Sequence, residues 1–141
     1  MKIPEQKLAL AIGNNGCYFT CLIYLAESLT GQNYDLIDEF NFCCQKIDAN
    51  NVAWITENGY VNRPDLILAH YLNKRIGVIK TNNLKYVPSN NDYFIGCYKW
   101  NGGSHFVYLN KELKVLFDPL GKSNTVKNGK LESLRVITVY E

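Results

Sequence analysis

The sequence predicts an α+β domain in which amino-terminal helices pack on an antiparallel sheet formed by the second half of the chain. Two observations indicate this class. Up to Lys74, apolar residues recur every three to four positions, which is the spacing of amphipathic helices. From Arg75 onward, short runs rich in β-branched and aromatic residues alternate with turns that contain Gly and Asn. We therefore expect three helices followed by about five short strands joined by tight turns.

Three helices are expected from the apolar spacing and from the residues at their ends. The first follows the turn-forming residues 14–16 and stops before Gly31, because glycine readily adopts the left-handed conformation that ends helices. The third begins at Pro64, since proline is favoured in the first turn of a helix. The expected ranges are 17–30, 35–46 and 64–72, and a short helical turn closed by Gly59 is expected over 54–61.

Five strands are expected after the helices. Asn101-Gly102-Gly103 is a strong hairpin signal between the second and third strands. A further turn at 110–112 would make the third and fourth strands antiparallel neighbours. The expected strands cover 76–79, 93–100, 105–109, 114–117 and 134–140.

Composition limits the class of protein. The 141 residues have the size of one domain, which we expect to span residues 1–141, with a core that needs neither disulfide nor metal. The net charge is +2, and the lysines are spread thinly along the chain. Because the sequence has no run of basic residues, a nucleic-acid partner is not expected. No apolar run approaches the roughly 20 residues of a membrane span, and the amino terminus does not resemble a secretory signal. The five cysteines, an odd number, are expected to be free thiols in a cytoplasmic protein.

Three residues could together form a nucleophilic site. Cys17 opens the first helix, where the positive end of the helix would lower the pKa of a thiol. His105 opens a strand directly after the Gly-Gly turn, and Asp118 ends the next strand before Pro119. If those two strands form a hairpin, His105 and Asp118 lie at the same end of it. The Asp could then orient the imidazole as in any nucleophile–base–orienter triad.

Three segments carry a resemblance to a known group. They are Gly-Cys-Tyr-Phe-Thr-Cys-Leu at 16–22, Ser-His-Phe-Val-Tyr-Leu at 104–109 and Phe-Asp-Pro-Leu-Gly at 117–121. In this order they resemble the papain-like cysteine peptidases, in particular the branch that cleaves double-glycine leaders from bacteriocin precursors. The segment Asn-Gly-Cys-Tyr-Phe at 15–19 is also similar to a small uncharacterised family carried by bacterial plasmids and phages. The resemblance covers most of the chain, from about Gly13 to Gly121.

The resemblance implies a papain-like fold and a Cys17–His105–Asp118 triad that acts on a peptide or isopeptide bond. Papain-like enzymes usually place a Gln about six residues before the Cys to help hold the oxyanion, and this chain has Ala11 there. Asn14 and Asn15 are the candidate replacements, together with the backbone N–H of Cys17.

Two functions remain open from the sequence. The first is a cysteine peptidase or related thiol-dependent hydrolase or transferase, and the second is an inactive papain-like domain that binds a protein or ligand as an accessory factor. Neither function requires a cofactor, and both imply a peptide or protein partner. Cys21 lies one helical turn beyond Cys17 and is expected in the core. The cysteine spacing does not match the usual zinc patterns, so no metal is expected.

Overall fold

The computed structural model describes residues 16–141 and confirms the α+β class, with helices first and a five-stranded antiparallel sheet after them. The helices are α1 Cys17–Thr30, α2 Leu36–Cys44, α3 Pro64–Leu72 and the short α4 Asn124–Asn128. The strands are β1 Ile76–Thr81, β2 Asp92–Trp100, β3 Gly103–Leu109, β4 Val115–Phe117 and β5 Lys130–Val139.

The ends of the first three helices follow from local residues. Helix α1 ends at Gly31, whose φ of 73° is left-handed and whose N–H donates to the carbonyl of Glu27. Helix α2 begins after Asp35, whose carboxylate accepts the N–H groups of two first-turn residues. It ends at Cys44, two residues before the predicted end. Helix α3 has Pro64 as its first residue, as predicted.

The predicted helical turn over 54–61 is wrong. Ile55 and Val61 form an isolated antiparallel bridge, and a tight turn lies between them. The N–H of Gly59 donates to the carbonyl of Thr56, and Gly59 has a φ of 91°, which is outside the helical region. The glycine therefore reverses the chain here and does not cap a helix.

The sheet has the order β1-β5-β2-β3-β4, and every neighbouring pair is antiparallel. The last strand thus lies between β1 and β2, and it starts at Lys130, earlier than predicted. Strands β3 and β4 are neighbours, as the turn at 110–112 predicted. Helix α4, which was not predicted, leads directly into β5.

Helix α1 packs on one face of the sheet through aromatic pairs. The ring of Tyr18 stacks on that of Phe106 with centroids 4.7 Å apart, and Tyr24 stacks on Phe117 at 4.3 Å. Because successive strand residues point to opposite faces, a second apolar cluster forms on the other face. That cluster consists of Phe94, Val107, Leu109, Leu134 and Val136. The packing of α1 on its own face holds the amino end of the helix against β3, which positions the site.

Candidate active site

Cys17 is the first residue of α1, and its side chain faces the sheet. The sulfur accepts a hydrogen bond from the backbone N–H of Phe106, with N and Sγ 3.4 Å apart. The N–H groups of Cys17 and Tyr18 also stabilise the sulfur. Gly16 precedes the helix and has no side chain that could cap these N–H groups. The backbone at the start of the helix therefore favours the charged form of the sulfur.

Burial determines the protonation of Cys17. Only 4% of the residue is exposed, and this burial raises the pKa of the thiol above its ordinary value of 9.0. The backbone N–H groups of Phe106, Tyr18 and Cys17 lower the pKa, but by less than burial raises it. The sequence indicated that the helix start would lower the pKa of this thiol; the backbone N–H groups do lower it, but burial has the larger effect. At neutral pH the resting form is therefore the thiol.

His105 and Asp118 form a buried pair, and His105 directly precedes the residue whose N–H binds this sulfur. His105 lies in β3 opposite Tyr98 of β2, and its Nε2 is 2.6 Å from Oδ1 of Asp118. Both side chains are only 5% exposed. Asp118 follows β4 directly, so the hairpin of β3 and β4 brings the two residues to the same end of the sheet, as the sequence suggested.

The surroundings of Asp118 favour its charged form. Burial raises the pKa of the carboxyl group, but the hydrogen bond with His105, the N–H of Leu120 and the hydroxyl of Ser123 together lower the pKa below 3.8. The N–H of Leu120 donates to Oδ1 over 2.9 Å. A carboxylate can only accept in this bond, so Nε2 of His105 carries the hydrogen that it donates to Asp118. The other ring nitrogen, Nδ1, is then the one that can exchange a proton.

The backbone links the pair to the thiol. Phe106, whose N–H binds the sulfur of Cys17, follows His105 directly in β3. The start of one strand therefore presents the histidine and holds the nucleophile. The structure brings Cys17 to the strand of His105, and His105 to Asp118. Their catalytic roles stay predictions.

Asn14 and Asn15, the predicted oxyanion donors, lie outside the residues that the structure describes. Sequence reasoning missed Ser123. This buried residue precedes α4, and its hydroxyl oxygen accepts the N–H of Val126 while the same side chain binds Asp118. Serine is a favoured residue at the start of a helix, so Ser123 could have indicated α4, but that helix was not predicted.

The remaining cysteines are buried or half-buried. All five cysteines are free thiols, as expected. The sulfur of Cys21 is fully buried and donates to the carbonyl of Phe106 over 3.6 Å, so this residue packs in the core. Within residues 16–141 there is no group of three or more His, Cys, Asp or Glu side chains that could hold a metal ion. The helices in the same range are all too short or too polar to cross a bilayer.

A cavity of about 430 Å³ is lined by Tyr18 and Phe106, the chain neighbours of Cys17 and His105, which themselves do not line it. Tyr60, Val61 and Pro64 line it on the side of the helices. The opposite wall consists of side chains from β1, β2 and β5. The cavity therefore lies between the helical half and the sheet, and it shares Tyr18 and Phe106 with the surroundings of Cys17.

Fold and site define an α+β protein with a buried thiol at a helix start, bound by the backbone of a strand that also carries a buried His–Asp pair. A family model matches residues 1–139, and the chain belongs to that family, which is described as protein of unknown function DUF261. No curated protein matches the chain, and no solved structure does.

Proposed function

We propose that the chain is a cysteine-dependent hydrolase or transferase of the papain-like type, acting on a peptide or isopeptide bond. Cys17 is the nucleophile, His105 the general base and then acid, and Asp118 the residue that orients His105. The observation that carries the proposal is the buried 2.6 Å bond between His105 and Asp118, on the strand whose next amide binds the sulfur of Cys17.

The raised pKa of Cys17 determines how the first step proceeds. Nδ1 of His105 takes the proton of the thiol while Sγ forms a bond to the carbonyl carbon, and the carbonyl electrons move to the oxygen. The carboxylate of Asp118 stabilises the imidazolium. When the tetrahedral intermediate collapses, the imidazolium gives its proton to the leaving amine. The thioester that remains is attacked by water, which gives hydrolysis, or by a second amine, which gives transfer.

The oxyanion would be held at the start of α1. The N–H groups of Cys17 and Tyr18 already stabilise the sulfur, and the same first turn can donate to an oxygen bound to the adjacent carbon. A side-chain donor from Asn14 or Asn15 would replace the Gln that papain-like enzymes use. Loss of one such donor typically costs about 10²–10³ in rate.

The second candidate function is a non-catalytic domain that binds a protein or ligand. Two observations favour it. The first is the burial that raises the pKa of Cys17, and the second is Ala11 at the position of the usual Gln. In this case the cavity is a binding site without chemistry, and the His–Asp pair only stabilises the end of the β3–β4 hairpin.

Acylation by p-nitrophenyl acetate distinguishes the two functions. Its acetyl group transfers to a nucleophilic sulfur, and peptide mass spectrometry locates the modified cysteine. We expect Cys17 to be acetylated faster at neutral pH than the other four thiols. We expect His105→Ala to slow the acetylation about 10²-fold, because general-base catalysis contributes at least that much. The rate should also fall in heavy water, since a proton moves in the same step.

His70→Ala is the matched control. His70 is the other histidine of the chain, and it is exposed and stacks on Phe42 at 4.7 Å, away from the site. This variant should acetylate at the wild-type rate. If Cys17 reacts no faster than the other thiols, or if His105→Ala changes nothing, the enzyme proposal is lost and the binding function is favoured.

A further inference from the structure

The cavity lined by Tyr18 and Phe106 carries an excess of positive charge. Lys80, Lys99 and Arg135 line it, and Glu132 is the one acidic residue among its lining residues. The carboxylate of Glu132 lies 3.9 Å from Nζ of Lys99, so these two charges offset each other. Lys80 and Arg135 have no such partner at the cavity, since no carboxylate of the described residues forms an ion pair with either. Two positive charges without a carboxylate partner therefore line this cavity.

The two positive charges are placed directly against each other. Lys80 of β1 and Arg135 of β5 are register partners in neighbouring antiparallel strands. Like charges at such a position destabilise a sheet, and a bound anion would relieve the repulsion. The guanidinium of Arg135 is held in place, because its carbon lies 5.1 Å from the ring centroid of Phe106 and Nη1 donates to Ser133 Oγ over 3.1 Å. The arginine is thus oriented on the wall that Phe106 shares with the site.

Tyr18 supplies an unused donor at the same cavity. Its hydroxyl is buried, and it has no hydrogen-bond partner among residues 16–141. The residue is only 8% exposed, and its ring stacks on Phe106. Leaving a buried hydroxyl without a partner typically costs about 1–3 kcal/mol, so a partner from a ligand would stabilise it. Burial raises the pKa of the phenol, and the positive charge of Arg135 lowers it by less. Tyr18 also directly follows Cys17 in the sequence.

We infer that this cavity is a subsite for the carboxylate side chain of an acidic residue in a peptide, with Arg135 as the principal partner and Tyr18 and Lys80 as further donors. A planar carboxylate fits the paired N–H groups of a guanidinium. The inference rests on the proposed function for the position of the scissile bond at Cys17. It names the substrate class: a peptide with Asp or Glu close to the bond that is cleaved.

Peptide binding to a chain without the thiol tests the inference separately from the chemistry. We use Cys17→Ser, because the serine oxygen can still accept the N–H of Phe106, and its amide spectrum shows whether the fold is kept. Acetyl-Gly-Glu-Gly-amide and acetyl-Gly-Gln-Gly-amide are titrated separately while amide chemical shifts are recorded. We expect saturable shifts at residues of the cavity with the Glu peptide, and about tenfold weaker binding of the Gln peptide.

Added to Cys17→Ser, three variants distinguish a built subsite from general attraction to a basic protein. Arg135→Gln should weaken binding of the Glu peptide about tenfold, and Tyr18→Phe should weaken it less. Arg75→Gln is the matched control, because Arg75 lies over the ring of Tyr140 and does not line the cavity. Equal binding of the Glu and Gln peptides, or an equal loss in Arg135→Gln and Arg75→Gln, would overturn the inference. Binding of the Glu peptide with the expected Arg135 dependence supports it even if Cys17 fails the acylation test, since the serine variant performs no thiol chemistry.

Discussion

Replacing Asp118 with Asn tests the central contact of the site. The carboxylate accepts hydrogen bonds from His105, from the N–H of Leu120 and from the hydroxyl of Ser123. Bonds to a charged group contribute about 1.5–3 kcal/mol each, and bonds to a neutral group about 0.5–1.5 kcal/mol. Asn keeps an acceptor oxygen but loses the charge, and its amide nitrogen cannot accept. We therefore expect Asp118→Asn to lower the free energy of unfolding by about 2 kcal/mol at neutral pH.

The pH dependence of this loss gives a second check. The pKa of Asp118 is lower in the folded chain than its ordinary value of 3.8, so the carboxylate stabilises the fold above that value. The contribution is lost as the pH falls through the folded pKa, because both states are then protonated. The difference between wild type and Asp118→Asn should be full near pH 7 and should shrink below about pH 4.

Urea unfolding, followed by tryptophan fluorescence at both pH values, measures the difference. Asp38→Asn is the control, since Asp38 is exposed on α2, and it should change the free energy by less than about 0.5 kcal/mol. Equal unfolding midpoints of wild type and Asp118→Asn near pH 7 would refute the reasoning, as would a difference that stays constant in acid.

Two further predictions concern the scaffold. Gly129→Ala should lower the free energy of unfolding by about 2–4 kcal/mol, because the added Cβ would clash with the backbone carbonyl oxygens of Lys99 in β2 and Thr125 in α4. Thermal unfolding measures this loss, with Gly103→Ala as the control, because a Cβ at Gly103 would lie 3.6 Å from its nearest neighbouring atom. An equal shift of the unfolding temperature in both variants would contradict the argument. Asp35→Ala should cost about 0.5–2 kcal/mol in urea unfolding, because two amides of the first turn of α2 lose their acceptor. Asp35→Asn, which keeps that acceptor, should restore most of the loss, and no difference between the two variants would exclude the cap as the cause.

The features that could be predicted from the sequence are those with local causes. Gly31 and Pro64 mark helix ends through their own backbone preferences, and both ends are where the pattern put them. The Asn101-Gly102-Gly103 turn likewise joins β2 to β3, because positive φ values at Asn101 and Gly102 suit a tight hairpin. The same locality explains why the meeting of His105 and Asp118 was foreseeable, since one short hairpin connects them.

The features that could not be predicted depend on contacts distant in sequence. Nothing in the local pattern indicates that β5 lies between β1 and β2, because strand order is decided by packing of the whole sheet. The pairing of Lys80 with Arg135, and hence the charge of the cavity, follows from that order. The error over 54–61 has a different origin. Helical spacing over eight residues is short enough to arise in a turn, and Gly59 is compatible with both structures.

Burial of the site has two opposite effects, and their balance separates the two proposed functions. Exclusion of water raises the pKa of Cys17 and so opposes a resting thiolate. The same exclusion strengthens the bond between His105 and Asp118, since charges interact more strongly away from water. A site that needed a stable thiolate would gain nothing from this burial. A site in which His105 takes the proton only as the sulfur attacks does gain, because the thiol stays unreactive until a substrate binds. The proposed enzyme is therefore one whose nucleophile is activated in the complex. The dependence of Cys17 acetylation on His105 is the quantity that decides between this enzyme and a binding domain.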